Sequence, residues 1–188
     1  MTTPVAVVLL AEGFEDIEAI TVIDILRRGG VNTITASISE NFEVKSAHNI
    51  IIRADRRLSD LGDDVWDAIV LPGGMPGTTN LANSPLVTAA IKRHATQGRL
   101  ICAICAAPTV LVSVGVLPSQ VHVTCYPSCD KYLDRPSANV PVVVDGNFIT
   151  GQAPGSAMLF GLVVLQALAG KEIALRVAKG MVTKVLEF

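Results

Sequence analysis

The chain has 188 residues, half of them hydrophobic and 17% charged, with a formal net charge of −2. That length and apolar content suit one domain over residues 1–188, since single cores commonly reach roughly 200 residues. No Lys/Arg cluster is present and only 4% of residues are aromatic, which leaves a nucleic-acid interface without charge or stacking support.

The N-terminal run Val5–Ala11 reads as a strand buried on both faces. It is too short to span a bilayer and lacks the basic flank of a signal peptide. A cytoplasmic protein with mostly reduced cysteines is the expectation. Glu15–Arg28 follows as a helix closed by Gly29-Gly30. Asn32–Ile38 is the next strand, and Val44–Ala54 adds a hairpin or an edge pair turned near His48-Asn49. Asp67–Leu71 is a strand ending at Pro72-Gly73-Gly74, and Pro85–Gln97 a helix. Leu100–Ile104 is a strand, and Ala106–Val114 a helix stopped by Gly115. Val121–Thr124 and Val140–Val144 read as strands, and Asn147–Thr150 completes a hairpin across Asp145-Gly146. Ser156–Leu168 and Lys171–Val185 are C-terminal helices. Strand–helix alternation of this kind predicts an α/β fold with a mostly parallel sheet covered on both faces. Its site lies beyond the carboxyl ends of the strands.

Three of those strand ends carry chemistry. Cys105 sits between a strand and a helix, flanked by Ala103, Ala106 and Ala107. Such a turn lifts a nucleophile above the sheet, and small neighbours let strand and helix close up. The helix N-terminus is expected to favour a thiolate, with the Ala106 N–H as an oxyanion donor. The turn alone is equally compatible with an inert core thiol. Glu18 lies in the stripe Phe14, Glu18, Val22, Ile25 of the first helix. It is either a stripe-edge residue reaching water or a partly buried carboxyl of raised pKa, able to act as a general acid/base. Glu15 and Asp16 suit the first helical turn. Gly74 is a candidate second oxyanion donor.

The other readings are weaker. Cys102-x-x-Cys105 with Cys125-x-x-x-Cys129 loosely resembles a zinc pattern, but Cys102 falls inside an apolar strand and the pair lacks an intervening turn. No metal and no cofactor are expected. His94 is expected on a polar, solvated helix face. His122 is a core or edge residue, and His48 lies in a turn. None has a spacing that makes a Cys–His pair.

AEGFEDIEAITVIDILRRGGV, DAIVLPGGMPG, AICAAPTVL and GQAPGSAM together resemble the ThiJ/PfpI superfamily, in its Parkinson-associated deglycase and YajL-like branch. The resemblance runs over nearly the whole chain. It implies a flavodoxin-like three-layer sandwich and a homodimer. It maps the nucleophile onto Cys105, the paired carboxyl onto Glu18, the oxyanion donors onto Gly74 and Ala106, and an interface arginine onto Arg28. Tyr126 stands where the family often has a histidine, and Ala106 where its protease branch has one, which argues against proteolysis. His48 stands where near relatives carry an interface arginine. The expected activity is glutathione-independent conversion of methylglyoxal or glyoxal, or removal of their early glycation adducts. The alternatives are a redox-sensing stress chaperone using Cys105, and a non-catalytic dimeric module.

Overall fold

The structure, a computed structural model, describes residues 2–183. Among these residues nine strands and six α-helices follow one another: β1 (Val5–Leu10), α1 (Asp16–Arg28), β2 (Asn32–Ser37), β3 (Glu43–Lys45), β4 (Ile51–Arg53), β5 (Arg56–Arg57), β6 (Ala68–Leu71), α2 (Gly77–Asn83), α3 (Pro85–Thr96), β7 (Leu100–Ile104), α4 (Pro108–Val114), β8 (Val142–Asp145), β9 (Phe148–Gly151), α5 (Ala157–Ala169) and α6 (Lys171–Gly180). Seven strands form one sheet in the order β5-β2-β1-β6-β7-β9-β8, and β3-β4 is a separate hairpin. All pairings in the large sheet are parallel except β8–β9. This is the mostly parallel, helix-flanked sheet expected of a flavodoxin-like sandwich.

Alternating strand residues feed two cores. Ala6, Val8, Leu10, Cys102 and Ile104 pack with α1, α5 and α6 on one side. Val7, Leu9, Ile101 and Ala103 pack with α3 and α4 on the other. Chain order reverses across the β1–β6 pair: β2 lies on one side of β1, whereas β6 and β7 continue on the other. The carboxyl ends of β1, β6 and β7 therefore meet beside a topological switch point, where such sheets open a crevice.

Several expected elements differ. Val121–Thr124 forms a single bridge, Val123 with Ser137, rather than a strand. Side chains serve its backbone: the His122 N–H donates to Asp145 Oδ2 at 2.9 Å and the Thr124 N–H to Thr150 Oγ1 at 3.0 Å. The segment is anchored further by Arg135, whose guanidinium donates to the carbonyls of Pro118 and Val121 at 2.5 and 2.8 Å. Helix α2 is additional, and α4 begins at Pro108, two residues later than expected. Helix α6 closes at Gly180, and the expected extension through 184–185 lies outside the described residues. Among the described residues no helix is long and apolar enough to cross a membrane.

His94 is also corrected. It is fully buried against Trp66, not solvated. Its Nε2 accepts from the Trp66 backbone N–H at 3.1 Å, and Nδ1 lies 2.8 Å from the Ala90 carbonyl oxygen. That arrangement needs a neutral ring with its proton on Nδ1. Burial holds the His94 pKa below its ordinary value. The unfolded chain therefore takes up a proton here before the folded one does. His94 contributes stability above about pH 6.5 that is lost as pH falls below it. Urea unfolding should show a falling midpoint over that acid range, and His94→Gln, which can still accept from Trp66, should reduce the fall.

Candidate active site

The site is built around Gly73. Its N–H donates to Glu18 Oε2 at 2.7 Å, and its carbonyl accepts from the Glu15 N–H at 2.9 Å. A Cβ added at Gly73 would lie 2.8 Å from Cys105 Cβ, from Glu18 Oε2 and from the Ile104 carbonyl oxygen alike. Only a residue without a side chain lets the first helix and the cysteine turn close on each other here.

Glu18 is held from behind as well. Glu15 is the N-cap of α1, and its Oε2 accepts from the Glu18 N–H at 2.8 Å. Glu15 is itself 8% exposed, so its role is a buried cap rather than simple dipole matching in the first turn. Glu18 has no exposed surface, so the reading as a stripe-edge residue reaching water does not hold. Its Oε1 makes no hydrogen bond of ordinary geometry; besides burial, the nearby thiol of Cys105 and the charge of Glu15 act on its protonation in opposite directions. Burial pushes the Glu18 pKa up to about 7, against the pull of Cys105 and the Gly73 amide.

Cys105 occupies the left-handed region, with φ +64°. Few residues with a side chain adopt it, and the surroundings here impose it. The Cys105 N–H continues the β7–β9 ladder to the Gly151 carbonyl at 2.9 Å, and its own carbonyl accepts from the Tyr126 N–H at 2.8 Å. Pinned on both sides, the residue presents its thiol to Glu18 while remaining 8% exposed.

The expected lowering of the thiol by a helix N-terminus is not what the geometry provides. Helix α4 starts at Pro108, which has no N–H to offer. Burial first, then the charge of Glu18, raise the Cys105 pKa; the backbone amides of Ala106 and Gly74 lower it. The charge effect exists only while Glu18 is ionised. A protonated Glu18 instead offers the sulfur a donor. The two groups therefore titrate as a pair in which ionisation of one opposes ionisation of the other.

Of the remaining candidates, Gly74 (φ +91°) and Ala106 supply amides to the sulfur. Tyr126 contributes through its backbone, and its side chain is exposed. His48 lies on the β3–β4 turn, with Nδ1 2.6 Å from Asp16 Oδ2, and Asp16 also accepts from Ser46 Oγ. That pairing raises the His48 pKa, with a smaller contribution from the charge of Glu15. Glu15, Asp16 and His48 bring ligand-type atoms within 4.8 Å of one another, but Asp16 is already engaged by Ser46 and His48. Arg28 is not brought to the site. It ends α1, about 15 Å along the helix from Glu18, and is paired with Asp24 at 2.6 Å. The sequence reading missed Gly73 and Asp16. The double glycine after β6 was the available signal for Gly73; the contact of Asp16 with a distant hairpin leaves no mark in local sequence.

A protein-family model described as the DJ-1/PfpI family matches residues 5–167. Protein dj-1beta of Drosophila melanogaster is 40% identical over 179 residues, covering 94% of this chain and 95% of that protein. Glutathione-independent glyoxalase DJR-1.2 of Caenorhabditis elegans is 36% identical, covering 88% and 89%. A structure described as oxidized DJ-1 of Toxoplasma gondii superposes with a TM-score of 0.93 at 32% identity, covering 97% of this chain and 100% of that one.

The raised carboxyl has a cost that can be measured. A buried acid whose folded pKa exceeds its unfolded value adds no penalty below about pH 4.5 and weakens the fold as pH rises through about 7. The difference from 4.5 to about 7 corresponds to about 3 kcal/mol. Glu18→Gln should raise the unfolding free energy relative to the wild type more at pH 8 than at pH 5. Paired urea titrations at those two pH values check it.

Proposed function

Since the chain belongs to the DJ-1/PfpI family, we propose that it is a cysteine-dependent, glutathione-independent glyoxalase that protects against carbonyl stress. The observation that carries this reading is the contact of a buried carboxyl titrating near neutrality with a thiol fixed at a strained turn. A relative bearing the name of a glutathione-independent glyoxalase supports it.

In the proposed reaction the Cys105 sulfur attacks the aldehyde carbon of a 2-oxoaldehyde. A C–S bond forms, the carbonyl π pair moves to oxygen, and that oxygen takes a proton, giving a hemithioacetal. The Ala106 and Gly74 amides, which face the sulfur, are the candidates to hold the developing oxyanion. Glu18 as carboxylate removes the proton from the former aldehyde carbon and returns it to the neighbouring carbon through an enediol. The product of that transfer is a 2-hydroxy thioester. Water cleaves it to a 2-hydroxy acid, lactate from methylglyoxal and glycolate from glyoxal, and the thiol is restored. A pKa near 7 suits Glu18 to both halves of the proton transfer. The same attack on an early glycated amine would give deglycase activity.

Homodimerisation belongs to this reading. The outer face of α1 exposes Ile17 and Ile20, and the β3–β4 hairpin exposes Ile50 and Ile51. Arg28 and Asp24 continue the same helix face by steps of three and four residues. An apolar surface edged by such a pair suits contact with a second copy.

A second reading, redox sensing, is favoured by the oxidized state in which the Toxoplasma gondii relative is described. Cys102 has no exposed surface, whereas Cys105 retains 8%, so peroxide should reach Cys105 first of the two.

Purified protein should consume methylglyoxal and form lactate without added glutathione. Cys105→Ser should abolish turnover, and Glu18→Gln should lower kcat by about 100-fold or more. Full turnover by either variant would end this assignment.

A further inference from the structure

Beside the cysteine turn lies a cavity of about 490 Å³ that the proposed chemistry does not use. Ala106, the residue after the nucleophile, forms part of its wall. Met75, Ala82 and Tyr132 give the cavity an apolar lining, and Lys131 sits at the same wall with its ammonium 5.0 Å from the Tyr132 ring centroid. Thr78 also lines the cavity, is 5% exposed, and its Oγ1 is buried with no hydrogen-bond partner among the described residues. That hydroxyl has no accessible surface of its own, so Thr78 borders the cavity through its remaining atoms. The neighbouring Thr109 hydroxyl is not available, since it donates to the Ala106 carbonyl at 2.7 Å. That bond holds the cavity wall and the cysteine turn together.

The volume is that of a pocket for a drug-sized molecule. Methylglyoxal would fill only a small part of it. We propose that this cavity receives the tail of the substrate, and that the preferred substrates are 2-oxoaldehydes carrying an aryl-sized apolar group that ends in an anion. The proposal rests on the reading of Cys105 as the nucleophile. The tail would pack on Met75, Ala82 and Tyr132, and its anionic end would meet Lys131.

Alkylation of Cys105 tests the cavity without requiring turnover. Iodoacetamide serves as the compact reagent, and 4-(iodoacetamido)benzoate as the reagent with an anionic aryl tail. Rates at Cys105 are read by peptide mass spectrometry, which separates it from Cys129 in the cavity wall, and are normalised to the rates with free glutathione. The tailed reagent should react about tenfold faster or more, a margin typical of a filled apolar pocket. Ala82→Phe should remove that advantage and leave the iodoacetamide rate unchanged. Lys131→Ala, a surface change, should reduce the advantage for the benzoate but not for the uncharged N-phenyl analogue. Equal normalised rates in the wild type would overturn the proposal, as would equal slowing of both reagents by Ala82→Phe or no modification of Cys105 by either. If the tailed reagent keeps its advantage while methylglyoxal is not consumed, the glyoxalase reading fails and the cavity stands. If methylglyoxal is consumed and the advantage is absent, the cavity fails alone.

Discussion

The amide of Gly73, donating to Glu18 Oε2 at 2.7 Å, fixes the relation on which the site depends. Glu18 comes from the first helix, Gly73 from the end of β6 and Cys105 from the end of β7. These are three separate strand-to-helix transitions, and nothing in their local conformation would bring a carboxyl against a thiol. The double role of Gly73 does so: its N–H orients the carboxyl, and its missing side chain leaves room for the sulfur-bearing turn. Burial then does the electrostatic work. A carboxyl enclosed by Phe14, Val22 and the sheet loses water and holds its proton near neutrality.

The thiol is treated differently from the carboxyl. Two amides face it and one buried charge opposes it. The balance depends on where a single proton resides, so the environment is switchable rather than fixed. Strain contributes to the same end. The left-handed backbone at Cys105 is held by hydrogen bonds to Gly151 on one side and Tyr126 on the other. Those partners belong to β9 and to the long segment after α4. The pairing of β9 with β7 is thereby connected to the position of one sulfur.

Much of this was legible before the fold was known, and the failures share a cause. The stripe Phe14, Glu18, Val22, Ile25 marks Glu18 as facing the core, because helical periodicity reports a face. It does not report depth, which is set by α5 and the sheet packing over that face. The LICAIC run and its alanines mark the cysteine turn through backbone rules alone. Helix α2 was not visible, since GTTNLAN has the composition of a loop and is made helical by its packing. VHVT has strand alternation but forms only one bridge, because Thr150 and Asp145 side chains take the N–H groups that a ladder would use. His94 had a readable signal: with Val87, Ala90 and Ile91 it falls on one buried helix face.

The crowding around Gly73 also bears on how such a site can change over time. Atoms of Glu18, Cys105 and Ile104 all lie at 2.8 Å from the space a methyl group would need, and two of those contacts involve the backbone or the directly bonded start of a side chain. The thiol at 105 is free to be exchanged for the hydroxyl of serine or the methyl of alanine within the same frame, whereas the glycine opposite it is not replaceable. A library of variants selected only for folding should therefore retain diversity at the proposed nucleophile and lose it at a residue that carries no reactive group.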